Sequence, residues 1–152
     1  VKDPVVADST CLIALERIGF LEILPALLEP VLVPPEVDRE FGVTFSWLKI
    51  ETPANLALVG SLKLLVDNGE AEAIALASGR GIPVILDDRQ ARSVAVGLKL
   101  RVVGTLGCAL RAKQIGAIMA VGPLIEKLES HGFYLGAALK SETLRLAGET
   151  AG

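Results

Sequence analysis

Short β-branched runs punctuate this chain, and each is followed by a stretch suited to a helix. Residues 5–8 read as a strand, with Ser9 and Thr10 as caps for a helix running to about Ile18. Residues 20–28 repeat apolar side chains at helical spacing and stop at Pro30. Residues 31–33 form a short strand closed by Pro34 and Pro35, prolines that suit the first turn of a helix over 36–41. Residues 42–53 are irregular apart from a short strand at 48–50, and 54–66 is helical. Asp67-Asn68-Gly69 reads as a turn, then 70–78 as an alanine-rich helix ended by Gly79 and Gly81. A buried-type strand over 83–86, a helix over 89–96, a strand at 102–103 and a helix over 106–114 continue the alternation. Helices over 123–130 and 133–146 close it. Strands separated by helices imply βαβ units, hence an α/β fold with a mostly parallel sheet covered on both faces.

With 152 residues and no repeat, linker or low-complexity tract, the expectation is one domain over 1–152. Its C-terminal helices, about 123–147, either pack on it or form a dimer surface. No apolar run reaches the roughly 18 residues a bilayer demands. The longest, 115–125, contains Gly116, Gly122 and Pro123, so no membrane association is expected. The start, VKDPVVADST, lacks a basic-then-apolar signal, which points to a cytoplasmic protein. Cys11 and Cys108 lie in apolar stretches with no CxxC pairing and read as buried thiols. His131 is the sole histidine, placed between two helices where a surface or capping role suits it. Histidine-based triads and zinc sites are therefore disfavoured, and catalysis would run on carboxylates.

The carboxylates have a pattern. In open parallel sheets, ligands bind beyond the carboxyl ends of the strands. Asp8 ends the first strand, Asp87 and Asp88 end the strand at 83–86, Glu40 lies on the helix after 31–33, and Glu70 opens its own helix. Each has a plainer role: Asp8 and Asp88 suit helix N-caps, Glu70 suits a first turn, and Glu40 suits a solvated face beside Glu36, Asp38 and Arg39. Capping alone does not explain why they fall on one sheet edge. Crowded carboxylates repel unless a cation sits among them, and oxygen-only donors select Mg2+ or Mn2+. Such ions activate water against phosphodiesters. The formal net charge is −3, yet Arg80, Arg89, Arg92, Lys99, Arg101, Arg111 and Lys113 crowd one segment against only Asp87 and Asp88. That segment reads as a phosphate-facing surface or as a set of solvated helix faces, with Arg89 and Arg92 first in line to grip phosphate.

These segments resemble the PIN-domain nucleases, the fold of VapC-type toxins, and more closely a prokaryotic PIN-like branch. The resemblance covers nearly the whole chain and rests on DSTCLIAL, PPEVDRE, GEAEAIALA, GIPVILDDRQAR, the later GTLG and the AKQIG pattern. It implies a three-layer α/β/α sandwich around a parallel sheet of four or five strands. It also implies Asp8, Glu40, Glu70 and Asp88 as the metal-binding catalytic acids, Asp87 as an alternative to the fourth, and Thr10 as the small hydroxyl beside the first. The implied activity is Mg2+- or Mn2+-dependent cleavage of single-stranded RNA, as in the toxin of a toxin–antitoxin pair. The chain departs from the pattern at Glu70, where many active members carry aspartate, at Leu86 in place of a hydroxyl residue, and at Gln90 in place of an acid.

A receiver domain wants its acidic pair on the first strand, a haloacid-dehalogenase phosphatase wants Asp-x-Asp there, and no glycine-rich phosphate loop follows any strand. The remaining alternative is a catalytically weak PIN-like interaction module. Phe41, Phe45, Trp47 and Leu48 would then dock an antitoxin peptide or a second copy of the chain as a homodimer; otherwise they form a satellite core beneath their loop.

Overall fold

A computed structural model describes residues 2–150; residues 1, 151 and 152 of the expected 1–152 domain lie outside the described residues. Five parallel strands form the sheet: β1 (Asp3–Ala7), β2 (Leu28–Val33), β3 (Leu48–Ile50), β4 (Val84–Ile85) and β5 (Val102–Val103). Their order is β3-β2-β1-β4-β5, so β1 is central. The chain winds outward from β1 through β2 to β3, then returns to the other side of β1 for β4 and β5. Winding therefore reverses between β1 and β4, where a crevice opens at the carboxyl edge.

Alternation along the strands builds two apolar faces. Val5, Ala7, Val31, Val33 and Ile85 face α1 (Ser9–Ile18), α2 (Ile23–Leu27), α7 (Thr105–Gln114) and α8 (Gly122–Ser130). Val6, Leu32, Val84 and Leu86 face α4 (Leu56–Leu62), α5 (Asn68–Arg80) and α6 (Arg89–Gly97). This is the α/β/α sandwich. Helix α5 buries Ala71, Ala73, Ala75 and Ala77 together with Ile74 and Leu76, and its small side chains let it sit tightly on the sheet. Helix α3 (Pro35–Phe41) lies at the edge, touching both α1 and α5.

Several boundaries differ from the sequence reading. The helix expected over 20–28 shrinks to α2, because Leu28 pairs with Asp3 and joins β2, while Pro25 removes a donor from the short helix. Helix α4 is also shorter than 54–66: Asn55 caps it, accepting from Leu58 N–H at 3.0 Å, and it ends at Leu62. Helix α5 begins at Asn68 and runs through Gly79 to Arg80, where Gly81 (φ +66°) takes the left-handed turn. Residues 133–136 are not helical, and α9 (Ala137–Leu146) starts after an extended Gly136.

Phe41 and Leu48 are buried and Phe45 and Trp47 half-buried, with Phe45 stacked on Phe41 and Trp47 at centroid distances of 6.2 and 5.3 Å. Phe41 and Leu48 thus join the main core, with Phe45 and Trp47 packed against it, instead of forming a separate satellite core. Leu124, Ile125, Leu128 and Leu144 carry α8 and α9 into the main core. Glu149 fastens the end of the chain, accepting from the Val121 and Gly122 N–H groups at 2.8 and 2.9 Å and from Lys113 at 2.9 Å. Cys11 and Cys108 are buried free thiols, and the exposed His131 ring contacts the Lys127 carbonyl at the end of α8. Among the described residues no helix is long and apolar enough to cross a membrane.

Candidate active site

Strand β1 stops at Ala7, and Asp8 turns the chain into α1 from the N-cap position with extended backbone angles. Its side chain makes no capping hydrogen bond, so the plain capping role does not account for it. Its backbone N–H donates to the Ile85 carbonyl at 3.3 Å, which pins Asp8 at the β1–β4 crevice. The residue is only 4% exposed. Among the described residues no lysine or arginine pairs with it. Burial lifts its carboxyl from the ordinary 3.8 to about 7; the Ser9 N–H pulls it down, and the charges of Glu70, Asp67 and Glu40 push it further up. A buried anion without a cation is costly, and here three more anions face it.

Glu70 sits in the first turn of α5 within a capping box. Asp67 accepts from the Glu70 N–H at 2.8 Å, and Glu70 accepts from the Asp67 N–H at 3.2 Å. Burial raises its carboxyl to about 7, opposed by the Asp67 N–H and reinforced by the charges of Asp67 and Asp88. Glu40, in the last turn of α3, is exposed and accepts from the Ser9 hydroxyl at 3.1 Å. Its carboxylate lies where a Cβ on residue 69 would project, so Gly69 is what admits it. Helix α3 has Pro34 at its N-cap and so no capping side chain of its own, and Glu72 of α5 accepts from the Glu36 N–H at 3.1 Å instead. Helix α5 thus supplies Glu70 directly and holds Glu40 in place through Glu72 and Gly69.

Asp88 caps α6, accepting from the Ala91 N–H at 2.9 Å through one oxygen. Asp87 goes elsewhere. Both its oxygens accept from Thr105, at 2.8 Å from the N–H and 2.5 Å from the hydroxyl, tying β4 to the start of α7. Its charge acts on the buried Cys11 and Cys108 thiols on the α1–α7 side of the sheet. Asp88, expected as the fourth acid, and Asp87, its alternative, therefore engage different elements, Asp88 the start of α6 and Asp87 the start of α7.

Four acids thus meet along one edge, each within electrostatic reach of another. Among the described residues, though, no three Asp, Glu, His or Cys side chains are drawn close enough to hold an ion. The donor set fits a hard divalent cation in kind: oxygen only, mutually repelling, with no competing base. Glu40 is engaged by the Ser9 hydroxyl and Glu70 by the Asp67 N–H in this arrangement. Thr10 is exposed on the first turn of α1, and Arg89 is exposed at the start of α6. Arg92 is half-buried and donates to the Leu86 carbonyl at 2.8 Å. Thr10 and Arg92 line a cavity of about 550 Å3 beside this edge, whereas Arg89 does not.

Sequence reasoning missed Asp67, Ser9, Gly69, Glu72 and Thr105. Asp67-x-x-Glu70 is the capping-box spacing and could have been found; the other four depend on contacts between distant segments. A family model described as a PIN domain matches residues 4–149. No curated protein and no solved structure matches the chain.

Proposed function

Because the chain belongs to the PIN-domain superfamily of nucleases, we propose that it is an endoribonuclease cutting single-stranded RNA with the aid of Mg2+ or Mn2+. The observation that carries this reading is Asp8: a buried carboxylate at the winding reversal, with no cap, no cation and three acids around it. Asp8, Glu70 and Asp88 would hold the ion, with Glu40 completing the set directly or through water. A bound ion would activate a water and neutralise charge on the leaving oxygen. The chain's own residues do the rest. Asp8 and Glu70 release the protons they retain near pH 7, Arg89 and Arg92 grip phosphate, and the Thr10 hydroxyl reaches a phosphate oxygen from the first turn of α1.

A labelled single-stranded RNA incubated with Mn2+ or with EDTA tests the reading. Cleavage by the wild type in Mn2+ only, falling at least 100-fold in a folded Asp8→Asn variant, is the expected result; equal cleavage by that variant overturns it. Arg89→Ala and Arg92→Ala should each weaken RNA binding across sequences and flatten its salt dependence by about one unit of slope. A toxin role, with an antitoxin as protein partner, and a homodimer are parts of the same proposal.

The engagement of Glu70 in the capping box and of Asp88 in a cap favours a second reading, a catalytically weak interaction module. That reading predicts negligible Mn2+ affinity and a tight protein partner.

A further inference from the structure

Beside the acid edge, between α7, α9 and the 133–136 segment, lies the cavity of about 550 Å3. It falls within the roughly 300–1,000 Å3 typical of small-ligand sites. Its two ends differ. Thr10, Asp87, Arg92 and Thr105 form a polar end, and Thr10 and Asp87 are near neighbours in sequence of Asp8 and Asp88. Leu110, Leu128, Leu139 and Leu146 form an apolar body, with Phe133 and Tyr134 also on the wall. The wall's carboxylates are engaged, Asp87 by Thr105 and Glu142 by Arg145. Arg92 spends one nitrogen on the Leu86 carbonyl and, among the described residues, meets no carboxylate within ion-pair distance. Tyr134 is 91% exposed, so its ring offers a face that the fold does not use.

We infer that this cavity receives an unstacked nucleobase of the RNA strand, with the adjoining phosphate on Arg92 and the base against Tyr134 and the leucine wall. The inference rests on the nuclease reading for its substrate class, and it adds a base-selecting site that the acid edge does not contain. One cavity brings together a cation for backbone, an aromatic face for stacking and apolar depth, and its lining residues Thr10 and Asp87 lie close in sequence to Asp8 and Asp88. A purely apolar peptide would leave the charge of Arg92 without use.

Methyl-resolved NMR titration of the wild-type protein in EDTA with adenosine, cytidine, guanosine and uridine 5′-monophosphates tests it, with ribose 5-phosphate as a base-free control. At least one nucleotide should shift the methyls of Leu110, Leu128, Leu139 and Leu146 and bind about fivefold or more tighter than ribose 5-phosphate. Tyr134→Ala, at a position too exposed to endanger the fold, should erase most of that preference while leaving Mn2+ binding unchanged. Asp8→Asn should leave nucleotide binding intact while removing Mn2+ binding. Unmoved methyls, or equal affinity for the nucleotides and ribose 5-phosphate, would overturn the base site even in a protein that binds Mn2+ and cuts RNA. Nucleotide binding without any Mn2+ binding would instead retain the base site and remove the nuclease reading.

Discussion

Asp8 is buried against its own charge. Its carboxyl ionises near 7 in the fold against 3.8 ordinarily, so above neutrality the folded, metal-free protein holds an unwelcome charge. Asp8→Asn keeps the shape and removes that charge. At pH 8 in EDTA the variant should therefore be more stable than wild type, by on the order of 2–4 kcal/mol in urea unfolding. A less stable variant would mean that Asp8 serves the fold. Gly69→Ala probes the same edge from another side. A methyl there meets only the movable end of Glu40, and alanine is the better helix former. Stability should stay within about 1 kcal/mol of wild type, while Mn2+ affinity falls severalfold as Glu40 is displaced; unchanged affinity would show that Glu40 is not a ligand. At this scale the strand-end rule located Asp8 and Asp88 without coordinates. It could not separate Asp88 from Asp87, because only the path of the chain past β4 decides which one faces α5 and which faces Thr105.

The element that organises the edge is α5. Its first turn presents Glu70, its Glu72 caps α3 and so aims Glu40, and Asp67 secures its start. Asp67→Ala should cost about 1 kcal/mol through the lost cap, whereas Asp67→Ser keeps an acceptor and should cost under about 0.5 kcal/mol. Both remove a negative charge that pushes Asp8 and Glu70 upward, so both should lower the pH at which those carboxyls titrate in 13C NMR. An unchanged titration would place Asp67 too far away to matter. Helices set by local signals were legible in the sequence to within a residue: α1 to Ile18, α6 expected over 89–96 and found over Arg89–Gly97, and α7 expected over 106–114 and found over Thr105–Gln114. Those governed by distant contacts were not. Leu28 looks helical until β1 claims it as a strand partner; the start of α5 at Asn68, by contrast, was encoded locally in the Asp67-x-x-Glu70 spacing and was overlooked.

Across the whole molecule, the order β3-β2-β1-β4-β5 turns four separate acids into one edge, and stability should register their crowding. Asp8 and Glu70 bind protons more tightly folded than unfolded, so their contribution favours folding below pH 4 and is lost as pH rises to about 7. Glu149 acts oppositely. Burial works against its charge, but the Val121 and Gly122 N–H groups and Lys113 hold its carboxyl below the ordinary 4.5, so its contribution disappears in acid. In EDTA the melting temperature should therefore fall from pH 5 to pH 8, and Mn2+ should restore it at pH 8 while doing little at pH 5, where Asp8 and Glu70 keep their protons. A melting temperature indifferent to Mn2+ at both pH values would remove the ion from the account. The parallel sheet with helices on both faces was legible from alternation alone; the closeness of the acids depends on the winding reversal, which no local pattern encodes. Anomalous scattering from a crystal soaked in Mn2+ at pH 8 addresses the central claim directly. A peak at bonding distance from an Asp8 oxygen, with Glu70 or Asp88 completing its coordination, is the predicted result. A protein crystal that shows no Mn2+ at this edge, or shows it only elsewhere, would contradict it.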